Sequence, residues 1–306
     1  MKKNYIICAI FGGFGNQILQ YFFSASLSKY LQCKLILDVS FSKINFNKEE
    51  YLKKNPNAFF LKNYNLNNIE IKESTIVKNF FYLKFLKYLN NKIFFFYNLF
   101  FSKYNMQNFF YEKIYRNFNK KIDFKKFKSN SYYFGYWQKI LSSDYFDKNL
   151  INSFYYIKNK NKIDKYKKLI TKKTIAIHIR GKDYNLKKNQ HRVVCDDNYY
   201  TKSINYFKKK KNFFHIYTDD IKYAKSLLKN KLKEKNYVYI KNYKMNDLEE
   251  FELLRNYKYY IISNSTYSLA ASFLSRYKKI IIAPKYWFIG VKNNLLKSQN
   301  IEIVYI

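Results

Sequence analysis

Tyr5–Gln17 reads YIICAIFGGFGNQ, and the fold turns on it. The unbroken apolar run Tyr5–Phe11 is the pattern of a strand buried on both faces. It stops at Gly12-Gly13-Phe14-Gly15, after which Ile18–Leu31 reads as a helix and Leu35–Val39 as a second strand ending near Asp38. Strand, glycine-rich turn, helix and strand form a βαβ opening, so the first layer is α/β. The glycines carry extra weight because the 306 residues hold only 6 Gly, about 2% against a usual ~7%. Three of them fall within four positions, where a positive φ or a close backbone approach is expected.

Outward from this opening, Tyr132–Gln138 (YYFGYWQ) is a strand-like run reaching Gly135, and the polar, charged Lys158–Lys173 reads as a linker or interdomain helix. Thr174–Ile179 (TIAIHI) is another buried strand. Phe213–Thr218, Tyr237–Ile240, Tyr259–Ser263 and Lys279–Ala283 continue the series with helical stretches between them. Alternating strands and helices make a second doubly wound domain. The expected division is a first α/β domain over residues 1–160 and a second over 170–306.

Lys and Arg number 58 against 21 Asp and Glu, a net charge of +37. Such a balance suits nucleic acid or an anionic membrane as partner. The abundance of Lys, Asn, Ile, Tyr and Phe offers the plainer account, a bias toward AT-rich codons. Lysines spread through the chain do not form the single basic face of a nucleic-acid module, and no nucleic-acid partner is expected. With 48% hydrophobic residues and 22% aromatics the chain is not disordered. Three widely spaced Cys and three His support neither a disulfide framework nor a zinc site. In the basic-aromatic stretch Asn79–Tyr115, Lys84, Lys87, Lys92 and Lys103 interrupt every window long enough to span a bilayer. The N-terminal apolar run leads straight into the glycine loop, unlike a signal peptide. These features predict a cytoplasmic chain, with Asn79–Tyr115 as helices or as a peripheral surface toward the inner membrane face.

Ligands of doubly wound sheets bind at the carboxyl ends of the strands. Those ends carry His178 and Arg180, Asp219-Asp220, and the hydroxyl-rich Ser263–Ser268. Arginine's planar fork suits a phosphate, and a helix start offers free N–H groups to an anion. The loop at Gly12–Gly15 is neither G-x-G-x-x-G nor a Walker motif. No D-x-D pair marks a metal-held nucleotide sugar, so no cofactor or metal is expected.

Six motifs in order resemble the bacterial α-1,2-fucosyltransferases of glycosyltransferase family 11: Phe11–Tyr21, Phe134–Gln138 with Tyr145-Phe146, His178–Tyr184 (HIRGKDY), Tyr217–Ile221, Ile262–Leu269 and Ala283–Phe288. The resemblance implies two Rossmann-like doubly wound domains facing a cleft, a GT-B-like arrangement. It also implies inverting transfer of L-fucose from GDP-β-L-fucose to the 2-hydroxyl of a galactose, in an oligosaccharide or lipid-linked surface glycan. An acceptor other than galactose is the alternative. Carried onto this chain, the donor-binding set is Gly13, Asn16, Gln17, His178, Arg180, Lys182, Asp219, Glu250, Asn264, Ser265, Thr266 and Ser268. Arg180 and Asp183 are the catalytic candidates, with Asp183 read as holder of the Arg180 loop or as base. Gly181-Lys182 stands where the family has Arg-Gly, and Leu269 where it has Trp. Trp137 and Trp287 read as core residues.

Overall fold

Strand β1 (Tyr5–Ala9) lies between two parallel neighbours, β2 (Lys34–Asp38) and β5 (Ser131–Phe134). With both edges paired and Ile6–Ala9 almost wholly enclosed, β1 past Tyr5 has no position open to solvent. In this computed structural model the described residues are 4–43, 58–66, 69–73, 108–112, 121–156, 158, 160–181, 194–208, 212–277, 279–294 and 301–306. They divide into two compact units, Met1–Tyr155 and Tyr156–Ile306.

The first unit adds β3 (Glu70–Lys72) and β4 (Asn108–Tyr111) to an all-parallel sheet of order β3-β2-β1-β5-β4. The chain builds outward from β1 on one side, then crosses to the other, so the strand order reverses between β1 and β5. Helix α1 (Phe14–Tyr30) begins inside the glycine loop, four residues before the expected start. Only Gly12 needs a positive φ, at +75; Gly13 is the N-cap, and Gly15 lies buried in the first turn. Every residue from Gln17 to Ser24 on α1 is buried, which is why the stretch shows no clear polar face. The FGYWQ run leaves the sheet at Phe134, and Trp137 takes a left-handed φ of +52. Its ring stacks on Phe23 with centroids 3.9 Å apart. Trp137 and Trp287 are both core residues, 5% and 1% exposed.

The second unit runs through α2 (Lys160–Lys167), β6 (Thr174–Ile179), α3 (Asp197–Phe207), β7 (Phe213–Thr218), α4 (Ile221–Leu228), β8 (Tyr237–Tyr239), α5 (Asp247–Leu254), β9 (Tyr259–Ile261), α6 (Thr266–Phe273) and β10 (Lys279–Ala283). A short hairpin, β11 (Tyr286–Phe288) and β12 (Val291–Lys292), precedes β13 (Ile301–Tyr305). The six-stranded sheet is all parallel in the order β13-β10-β9-β6-β7-β8, reversing between β6 and β9. The stretch expected as a linker or interdomain helix forms α2, packed within the second unit. Ile163 is buried, Lys162 pairs with Glu249 on α5 at 2.9 Å, and Tyr166 stacks on Tyr243. Most of the basic-aromatic stretch Asn79–Tyr115 lies outside the described residues.

One side chain ties the two motifs of the first unit together. Gln20 is fully buried; its Oε1 accepts from Phe11 N at 3.0 Å and its Nε2 donates to Gly135 O at 3.1 Å. Gln20→Leu keeps the volume but strands two buried backbone groups, so unfolding in denaturant should show a loss of about 2–4 kcal/mol.

Candidate nucleotide-sugar site

Strands β9, β6 and β7 are adjacent, so the residues following each gather along one edge of the second sheet. Ligands of open parallel sheets bind there, at the reversal of strand order. On the β6–β9 side of that edge, His178 Nδ1 and Ser263 Oγ are 2.8 Å apart. His178 also stacks on Tyr267, whose hydroxyl donates to Asp247 O on α5 at 2.7 Å. Burial, with the Arg180 charge added, pushes the His178 imidazole down to about 3. The ring is therefore a neutral hydrogen-bonding group at working pH.

Toward β7, Arg180 Nη1 pairs with Asp219 Oδ2 at 2.8 Å, and Asp219 Oδ1 accepts the Gly181 N–H at 2.8 Å. The guanidinium stays partly open, its side chain 34% exposed. The adjacent carboxylates divide the work: Asp219 holds the Arg180 turn, and Asp220 caps α4 by accepting from Tyr223 N at 3.0 Å. This packing also accounts for the glycine in HIRGK. A Cβ on Gly181 would sit 2.7 Å from Asp220 Cβ and 3.1 Å from the Tyr223 ring, so an arginine cannot follow Arg180 in this setting.

The loop after β9 supplies polar groups of a different kind. Asn264 is buried and committed, its Nδ2 donating to Trp287 O at 2.9 Å. Ser265 is the N-cap residue of α6, Thr266 the first residue of that helix, and Ser268 turns its hydroxyl back toward Ser263 O and Ser265 O. Helices α3, α4 and α5 are capped by the side chains of Asp196, Asp220 and Asn246, whereas Ser265 makes no side-chain cap bond. The first N–H groups of α6 thus lack the carboxylate or amide that seals the other three starts.

The remaining expected site residues are distributed differently. Glu250 is buried on α5 and spent on Lys241, 2.8 Å away. Gly13, Asn16 and Gln17 belong to the first unit, at the start of α1. Gln17 is fully buried; it donates to Gly12 O and Ala58 O and accepts from Phe60 N, which consumes its amide. Lys182 and Asp183 lie outside the described residues. Sequence reading missed Ser263 and Tyr267 as the partners of His178. The hydroxyl-rich run contained both, but nothing in it said which side chain would meet the histidine. Among the described residues no group of three or more His, Cys, Asp or Glu could hold a metal ion. Among the same residues no helix is long and apolar enough to cross a membrane.

A doubly wound sheet with an aspartate-held arginine past its strand ends is an arrangement suited to an anion. The model of glycosyl transferase family 11 matches residues 10–300, and the chain belongs to that family. It is 32% identical over 126 residues to an alpha-1,2-colitosyltransferase of Escherichia coli, an alignment covering 38% of this chain and 41% of that relative. The chain therefore aligns with less than half the length of this curated relative. Among solved structures it is similar to the fucosyltransferase NodZ from Bradyrhizobium, with 13% identity, a TM-score of 0.47 and coverage of 90% and 94% of the two chains. A glycosyl transferase of family 9 from Veillonella parvula gives 10% identity, a TM-score of 0.44 and coverage of 99% and 87%.

Burial also pushes His215 down, to about 4, where its Nδ1 meets Tyr257 Oη at 2.6 Å. Neither His178 nor His215 should titrate between pH 8 and pH 5, as read from imidazole proton shifts in NMR. Both native values lie below the unfolded value of 6.5, so the unfolded chain binds the extra protons. Their contribution to stability is complete above pH 6.5 and is lost as pH falls below it, by roughly 1.4 kcal/mol per unit for each ring.

Proposed function

We propose that this glycosyltransferase moves L-fucose from GDP-β-L-fucose to the 2-hydroxyl of a galactose, with inversion, in a bacterial surface glycan. The Arg180–Asp219 pair, joining the ends of β6 and β7 in the second sheet, carries the reading. A departing nucleoside diphosphate needs a fixed positive group where its charge develops, and a guanidinium oriented by a carboxylate that a backbone N–H in turn holds is such a group. The uncapped start of α6 adds N–H donors on the other side of the same strand end. Lys182, one residue beyond Gly181, supplies a second positive charge as a point rather than a fork. His178 stays neutral, so it shapes the site and donates or accepts hydrogen bonds without adding charge.

The second unit is the donor side in this reading, and the first unit, with its GGFGNQ loop, is the acceptor side. The acceptor is an oligosaccharide or a lipid-linked glycan, met at the inner face of the cytoplasmic membrane by peripheral contact of a strongly basic chain. A second reading is favoured by the colitosyltransferase relative. Colitose is L-fucose without its 3-hydroxyl, so the same diphosphate-binding arrangement could serve a GDP-colitose donor. Loss of one sugar hydroxyl leaves the phosphate chemistry untouched and changes only the contacts around the sugar ring.

Transfer assays with GDP-L-fucose and GDP-colitose side by side, on galactose-terminated acceptors, decide between the donors. Transfer should persist in excess EDTA, since the proposed stabilisation of GDP comes from side chains and backbone; loss of activity restored by Mn²⁺ would overturn that. Arg180→Ala should lower turnover by about 10²-fold or more, and Arg180→Lys should recover only part of it. Wild-type turnover in a folded Arg180→Ala enzyme would remove Arg180 from the donor site.

A further inference from the structure

We propose that the β11–β12 hairpin docks the second unit on an anionic lipid bilayer, with Ile289 at its tip entering the interface and Lys285 and Lys292 meeting the headgroups. The inference rests on the peripheral membrane contact in the functional reading and gives that contact a place. Ile289 is 64% exposed, more than any other large hydrophobic side chain among the described residues. Tyr286 is exposed as well, Phe288 and Val291 are half-buried, and the exposed Tyr305 stands beside Ala283 on the neighbouring strand β13. Exposed apolar side chains are ordinary when scattered. Here three of them gather around one hairpin, which marks a contact surface.

The exposure is built in, because the base of the hairpin is fastened on every side. Trp287 is turned inward and buried, and its carbonyl accepts from Asn264 Nδ2 at 2.9 Å. The Lys285 N–H donates to Ile306 O at 2.8 Å. Asn293 returns two bonds of 2.9 Å, its N–H to Lys285 O and its Nδ2 to Pro284 O. The cross-strand register sets Tyr286 opposite Lys292 and Phe288 opposite Val291. Gly290 then closes the tip with a φ of +76, a conformation that glycine adopts without strain. A Cβ there would meet nothing within 4 Å, so the turn and not crowding keeps this glycine, and beyond the turn lies open space.

Charge decides what covers the tip. From Lys279 to Asn294 the sequence holds no Asp or Glu. Lys285 and Lys292 are exposed at the foot of the hairpin, and neither forms an ion pair among the described residues. The Lys285 ammonium lies 5.9 Å from the Tyr286 ring centroid. An anionic headgroup layer supplies the partner these ammonium groups lack, and the acyl boundary beneath it receives the isoleucine. A tyrosine ring, apolar in body and wet at its tip, belongs at the depth between them. Tyr286–Lys292 alone falls far short of the roughly 20–30 residues a side that a stable protein interface uses. The position also serves the reaction. β10 neighbours β9, and Asn264 ties the hairpin to the Ser263–Ser268 loop that opens α6. Docking therefore sets the strand-end edge of the second sheet near the lipid surface, where a lipid-linked acceptor is held.

Sedimentation of the full-length protein with phosphatidylcholine vesicles, with and without phosphatidylglycerol, tests this at low and high salt. The expected result is binding to the anionic vesicles that weakens with salt. Lys292→Glu should lower it about 5-fold or more and Ile289→Glu about 10-fold or more, with transfer to a soluble acceptor unchanged in both. Lys225→Glu makes the same charge change on the exposed face of α4 and should cost about 2-fold at most. In Ile289→Trp, the new indole should shift its emission to the blue on anionic vesicles and be quenched by brominated lipid. Vesicle binding that Ile289→Glu leaves intact overturns the proposal, and so does an equal loss in Lys225→Glu and Lys292→Glu, which would assign the binding to net charge. A wild-type protein that transfers fucose to a soluble acceptor but binds neither vesicle overturns the docking and leaves the transfer reading standing. One that docks but transfers neither fucose nor colitose overturns the transfer reading instead.

Discussion

A parallel sheet that grows outward from one strand and then reverses leaves the two flanking connections on opposite faces, so a crevice opens at the strands' carboxyl ends. Both units of this chain are built that way, between β1 and β5 in the first and between β6 and β9 in the second. The glycine loop and the FGYWQ turn flank the first reversal, and His178 and the Ser263–Ser268 loop flank the second. Each central strand is paired on both edges and enclosed on both faces, so it is rigid. Chemistry is confined to the residues just past its end. Motifs separated by more than 80 residues become neighbours because strand order, and not chain order, sets proximity.

Charge follows the same geometry. With a net charge of +37, carboxylates are scarce, and where they stand is informative. Asp219 orients Arg180, Asp220 closes the start of α4, and Glu249 and Glu250 draw Lys162 and Lys241 onto α5. These are short-range uses of a limited supply, each matched to a cation or to helix N–H groups. Glu112 instead accepts the Trp137 N–H of the FGYWQ turn, and burial raises its carboxyl.

Hydrogen-bond satisfaction accounts for the polar residues that do not take part in chemistry. Gln17 and Gln20 are fully buried on α1, and both use their amides to anchor loop backbone that the sheet cannot pair. Asn264 does the same for Trp287 O. In sequence such residues look like ligand-binding groups, since motif position does not distinguish an amide facing a substrate from one facing a carbonyl.

The α/β class, the buried strands β1, β6 and β7, and the placing of Arg180, His178 and the hydroxyl-rich loop just past strand ends could all be read from residue pattern. Burial on both faces forces a continuous apolar run, and Gly12, Gly135 and Gly181 stand where a positive φ or a close neighbour excludes a side chain, whereas Gly13 meets neither constraint. Boundaries were less legible. Helix α1 starts within the glycine loop and α6 starts at Thr266, because helix starts depend on which backbone carbonyls remain to be paired. Lys158–Lys173 read as a linker or interdomain helix because the ion pair that seats α2 on α5, Lys162–Glu249, joins residues 87 positions apart. The strand order, the split roles of Asp219 and Asp220, the exclusion of an arginine at position 181 and the setting of Glu112 were decided by tertiary structure alone. Each depends on distances between segments remote in the chain, and residue pattern along one strand or helix carries no information about what packs across from it.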